Sequence, residues 1–98
     1  MRFIVQSPNC KLVARKTFST VDEAGAYYRK QGEWLMGRSG VDLVKLEWKT
    51  DDGTLCRRIT ILNDGSARCA IEVYMDGGTD KDGGPTYSIA HLQPLPKL

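Results

Sequence analysis

The amino-acid sequence predicts one α+β domain, an antiparallel β-sheet with a single helix packed on one of its faces. Three observations predict it. Residues 44–74 hold three runs of alternating apolar and polar side chains, separated by Gly-containing turns, as a half-buried antiparallel meander requires. Thr20-Val21-Asp22-Glu23 is a capping box, which opens a helix. At 98 residues, 41% hydrophobic and 27% charged, the chain suits one core, since ~100–150 residues usually share one.

The elements follow in order. Arg2 to Ser7 reads as a strand led by Phe3, Ile4 and Val5, Pro8-Asn9 as a turn, and Lys11 to Phe18 as a second strand. Together they predict an N-terminal hairpin whose register is open. In the helix, Thr20 is the N-cap and Glu23 the third helical residue. Asp22 and Glu23 suit the positive end of the helix dipole, and Arg29 and Lys30 the negative end. Gly32 is placed to stop the helix. Ala24 with one or both of Tyr27 and Tyr28 should face the sheet, and Gly25 would permit a close approach to it. Glu33 to Gly40, with Trp34, Leu35 and Met36, reads either as a further helical turn or as an apolar loop.

In the meander, Val44, Leu46 and Trp48 alternate with Lys45, Glu47 and Lys49; Leu55, Ile59 and Ile61 are set against Cys56, Arg58 and Thr60; and Ala67, Cys69, Ile71 and Val73 alternate with Arg68, Ala70, Glu72 and Tyr74. A one-residue slip moves every side chain of a strand to the other face, so parity tests the register. A three-residue loop at Asn63-Asp64-Gly65 sets Ile59 opposite Cys69 and Ile61 opposite Ala67. A four-residue loop from Thr50 to Gly53 sets Trp48 opposite Leu55, Val44 opposite Ile59 and Lys45 opposite Arg58. The helix is then expected to cover a Val44–Leu46–Ile59–Ile71 face, with Leu55 to Leu62 as the central strand. Asp76 to Pro85, with four glycines and three aspartates, reads as a solvated loop, and Thr86 to Leu92 as a last edge strand. Residues 1–92 form the expected domain, and residues 93–98, with Pro94 and Pro96, a loose tail.

Composition excludes several classes of function. Fourteen basic and twelve acidic residues leave a net charge of +2, too mixed to mark a dedicated nucleic-acid domain. No run approaches the ~18 apolar residues of a membrane span, and Met1 to Val5 lacks the apolar core of a signal segment. Cys10, Cys56 and Cys69 have no paired spacing, which predicts reduced thiols and a cytoplasmic site of action. The expected register points Cys69 inward and Cys56 outward, so with Cys10 and His91 they make no zinc site. Placing Gly83 at the sixth position of a calcium loop leaves Gly78 and Ile89 where carboxylates are needed. No phosphate-cradling or hydrolase motif occurs, and His91 is the only histidine. Neither metal nor cofactor is expected, and the chain is read as a non-enzyme.

Two surfaces remain for partner binding. On the polar face of the meander, Lys45 opposed to Arg58 and flanked by Arg68, with Tyr74 farther along, forms a basic stripe with an aromatic neighbour. That chemistry suits an acidic protein surface or, as the alternative function, nucleic acid. Glu47 and Glu72 share the expected face, and a solvated face of mixed salt bridges is the plainer account. The alternative surface is Trp34, Met36 and Arg38, residue types enriched at protein interfaces. Its plainer account is that Trp34 and Leu35 close one end of the core.

In size and layout the chain resembles the small inhibitors, such as anti-CRISPR proteins, that phages use to disable host defences. The shared features are fewer than about 100 residues, one compact α+β unit and no catalytic signature. The resemblance covers the whole chain without matching a motif, so it assigns no residue a role. It implies a stoichiometric inhibitor that binds a larger host complex in the host cytoplasm.

Overall fold

The computed structural model describes residues 1–38, 43–63 and 68–92, except for the side chains of Asn63 and Arg68. Its elements are β1 (Phe3–Gln6), β2 (Lys16–Phe18), α1 (Val21–Gly37), β3 (Val44–Thr50), β4 (Leu55–Asn63), β5 (Arg68–Thr79) and β6 (Pro85–Leu92). The strands form one six-stranded sheet in the order β2-β1-β3-β4-β5-β6, and all neighbours are antiparallel. The α+β class is as expected, with β4 between β3 and β5. The expected N-terminal hairpin forms with a second strand of only three residues, and β1 also pairs with β3. The expected tail, 93–98, lies outside the described residues, as do positions 64 and 65 of the second meander turn.

The helix begins where its sequence says it should. Thr20 accepts the Glu23 N–H at 3.2 Å, and Asp22 and Glu23 occupy the first turn. Gly32 does not end it. The helix runs on to Gly37, and Arg29 and Lys30 fall mid-helix rather than at its negative end. The reason is packing. Gly32 is buried against Ile59, where an added Cβ would lie 2.9 Å from Ile59 Cδ1, and Leu35, one turn on, is fully buried. Gly25 does the same over Trp48, at 3.2 Å from Cη2. The two glycines, two turns apart, let the helix lie close to the sheet. Ala24, Tyr28 and Leu35 pack with Val5, Val44, Leu46, Ile59, Ile61 and Ala70 to form the core.

The meander keeps the expected strands but not the expected register. Between β3 and β4 the loop has three residues, Asp51 to Gly53. Thr50 N–H donates to the Thr54 carbonyl at 2.9 Å, and Gly53 takes the left-handed φ of 94°. A bulge then leaves Cys56 as an extra residue, because Trp48 pairs with Arg57 and Lys49 with Leu55. The two changes add to a shift of two residues. The faces of β3 are unchanged, but Lys45 lies opposite Thr60 and Arg58 opposite Glu47, so the expected Lys45–Arg58 opposition does not occur.

Between β4 and β5 the shift is odd and reverses a face. Ile61 pairs with Ala70, Ile59 with Glu72 and Arg57 with Tyr74. Ala70, Glu72 and Tyr74 therefore share the helix side with Ile59, while Cys69, Ile71 and Val73 lie on the outer side. Cys69 is exposed and Cys56 buried, the reverse of the expectation. The helix packs mainly on β1, β2 and β3, lies against Ile59 of β4 at Gly32, and meets β5 through Tyr28 at Glu72. On the helix side β5 sets the small, buried Ala70 and the hydrogen-bonded Glu72, and its apolar side faces outward.

The expected Asp76–Pro85 loop is mostly a hairpin. β5 continues to Thr79 through an irregularity after Met75, with Gly77 at φ 86°, and turns at Asp80 to Gly84. The Asp76 carboxylate holds this end together. It accepts from Gly78 N–H at 3.0 Å, Thr86 Oγ1 at 2.6 Å and Ser88 Oγ at 2.8 Å.

Candidate functional site

Parity assigns the outer face of the sheet, the side away from the helix. β3 contributes Lys45, Glu47 and Lys49, and β4 contributes Arg58, Thr60 and Leu62. β5 contributes Cys69, Ile71, Val73 and Met75, and β6 contributes Tyr87, Ile89 and His91. The face thus divides into a charged band and an apolar band. In the apolar band Ile89 is 65% exposed, Leu62 46%, Met75 40% and Tyr87 38%, around the half-buried Ile71 and Val73. Tyr87 is fixed there. Its hydroxyl donates to the Leu55 carbonyl at 2.7 Å, so the ring reaches from β6 across β5 to β4.

The charged band is partly self-neutralised. Glu47 is buried beside Lys49, whose Nζ is 3.7 Å from its Oε1, and faces Arg58 across the ladder. Among the described residues none hydrogen-bonds to the buried Arg58 Nε. Lys45 is exposed, and its backbone N–H donates to Asn9 Oδ1 at 3.0 Å.

On the other side, the helix edge and β3 to β6 bound an open cleft of about 530 Å³, lined by Tyr28, Trp48, Arg57, Glu72 and Leu92 among others. Tyr28 Oη donates to Glu72 Oε2 at 2.7 Å, and Arg57 Nη1 lies 3.7 Å from the same oxygen. Arg57 also stacks over the Tyr74 ring at 5.6 Å. Burial, and next the hydrogen bond to Glu72, drive the Tyr28 hydroxyl far above the usual phenol range. Glu72 and Arg57, the charges that β4 and β5 bring to this floor, are partnered with each other and with Tyr28 and Tyr74, so the first role of this group is to seat Glu72 under the helix.

Each expected site residue can now be placed. Lys45 and Arg58 share the outer face but are not opposed. Tyr74 is on the helix side, stacked under Arg57, and does not join them. Arg68 opens β5 opposite Asn63, and its side chain lies outside the described residues. Of the alternative set, Trp34 is 42% exposed with the Arg38 guanidinium 5.0 Å over its ring, whereas Met36 is half-buried against the core. Leu35, not Trp34, closes that end of the core. Among the described residues, no three His, Cys, Asp or Glu side chains gather as a metal ion would need.

Leu62, Met75, Tyr87 and Ile89 were not among the expected site residues. Their signal was present in the sequence. β6 alternates Tyr87 and Ile89 with Thr86, Ser88 and Ala90, but such alternation is ordinarily taken to mark the buried side. No protein-family model, curated protein or solved structure matches this chain.

Proposed function

We propose that the chain works by binding another protein through the outer face of β4, β5 and β6, without chemistry of its own. In this reading it is a stoichiometric blocker of the kind phages direct at host defence complexes. The observation that carries the reading is the outer-face apolar band in which the exposed Leu62, Met75, Tyr87 and Ile89 surround the half-buried Ile71 and Val73. Large exposed apolar patches rimmed by polar residues mark interaction sites. Lys45, Lys49 and Arg58 supply such a rim. Size and layout, which resemble the phage inhibitors, support the inhibitor part and a site of action in the host cytoplasm. No helix among the described residues is long and apolar enough to cross a membrane. The nucleic-acid alternative draws less support, because Glu47 sits among the basic residues of the charged band.

The test is capture of a partner from phage-infected host lysate by the immobilised chain, followed by affinity measurement with the purified partner. Met75→Glu and Leu62→Glu are expected to weaken binding by about tenfold or more while circular dichroism is unchanged, as for residues central to an interface. Arg58→Glu, now at the rim, should mainly change on-rate and salt dependence. Wild-type affinity in both glutamate variants removes this reading. Salt-sensitive binding to nucleic acid that Lys45→Glu abolishes would establish the alternative.

A further inference from the structure

Among the described residues the sheet ends in two unpaired strands, β2 and β6, and these edges are built differently. At one edge, β2 has three residues, carries the exposed Lys16 and follows the exposed Arg15. Shortness and positive charge are the usual devices that stop an edge from pairing. At the other, β6 has eight residues and no Lys, Arg, Asp or Glu. Its ladder to β5 is unbroken from Met75↔Tyr87 to Ala70↔Leu92, so no bulge bends the edge away over that stretch. Proline occurs only at its first position, Pro85. Eight residues at ~3.4 Å each make an edge ~27 Å long. Ile89, the most exposed apolar side chain of this strand, sits near its middle.

We propose that β6 pairs antiparallel with β6 of a second copy of this chain, about a two-fold axis perpendicular to the sheet at Ile89. The occupant is a second copy because the strand is complementary to itself. In this register Ile89 meets Ile89 of the second copy, and Tyr87 meets His91 of the second copy. On the helix side Ser88 meets Ala90. No formal charge meets another, although the whole chain carries +2. Closed two-fold pairs are the commonest homo-oligomers. Pairing satisfies the outward N–H and C=O groups of both strands and joins two six-stranded sheets into one. It also brings the two apolar bands side by side on one face. The inference does not depend on the protein-binding reading, because edge pairing extends that face without covering it.

The test uses the full untagged chain under reducing conditions, since Cys69 is exposed on the same face and a disulfide would imitate a dimer. Sedimentation or light scattering over a dilution series should show the mass rise from 10.9 kDa to twice that value. Ile89→Lys and Ile89→Glu should each stay at the monomer mass, with unchanged circular dichroism. Mixed in equal amounts they should regain the dimer, because ammonium then meets carboxylate at the axis. A wild-type chain that stays monomeric throughout overturns the proposal, even if it accepts a strand from another protein. So does a dimer that persists in either single variant, or a mixture that remains monomeric. Loss of partner capture in Met75→Glu with the dimer intact would separate the two readings.

Discussion

Glu72 shows how one side chain can be placed by its neighbours. It stands on the helix side because Tyr28 donates to it and Arg57 lies beside it. Hydrogen bonds to charged groups contribute ~1.5–3 kcal/mol, so Tyr28→Phe should lower unfolding free energy by about that amount in a urea melt. Ile59, buried on the central strand beneath Gly32, should lose about 2–5 kcal/mol on Ile59→Ala. A loss below ~1 kcal/mol would mean that the site collapses around the cavity. Asp76 offers a pH test. Its hydrogen bonds to Thr86, Gly78 and Ser88 lower its pKa to about 2 in the folded protein. Because the folded value lies below the ordinary one near ~3.9, its contribution is complete above that value and is lost as pH falls toward 2. Carboxyl chemical shifts should report the midpoint near 2, and Asp76→Asn should remove the local dependence.

At the scale of elements, the helix uses glycine for contact. Gly32→Ala gains ~1 kcal/mol of helix propensity, but its Cβ meets Ile59 Cδ1 at 2.9 Å, and overpacking a core costs ~1–3 kcal/mol. A net destabilisation is expected in a denaturant melt. Gly37→Ala, with nothing within 4 Å of the new methyl, should be neutral or stabilising by up to ~1 kcal/mol. The pair separates packing from propensity within one helix. The β3–β4 hairpin shows a related economy. A three-residue turn plus the bulge at Cys56 shifts the register by two, which keeps Ile59 and Ile61 facing the helix and sets Arg58 against Glu47.

For the whole molecule, the decisive feature is that one helix covers only part of a six-stranded sheet. The covered part, β1 with β3 and β4, contains the fully buried Val5, Leu46 and Ile61. The β5–β6 hairpin projects beyond it, and its outer half from Gly77 to Pro85 is exposed but for the half-buried Gly84. Local opening free energy follows burial, so hydrogen exchange in dilute solution should be slowest at Leu46, Ile59 and Ile61 and fastest at residues 77–85. Uniform protection across the sheet would show instead that the hairpin opens only with the whole domain. The uncovered half is also where the apolar band and the unguarded edge lie, which is why both functional proposals fall there.

The sequence by itself determined the fold class, the strand sequence of the meander, the N-cap at Thr20, the close-packing role of Gly25 and the last edge strand. These depend on local chemistry: alternation, capping and the absence of a side chain. It could not determine how far the helix ran, because Gly32 is a stop in isolation and a contact once Ile59 lies beneath it. Nor could it place the two faces of β5, since Ile71 and Val73 mark one side as apolar without saying whether anything covers it. Only the tertiary structure decided that. At β5 the helix presents the Tyr28 hydroxyl, which with Arg57 seats the Glu72 carboxylate on the helix side, and the apolar side is left outward. The candidate site moved for the same reason: alternation gives the period of a strand, whereas coverage by a distant element decides which side is the surface.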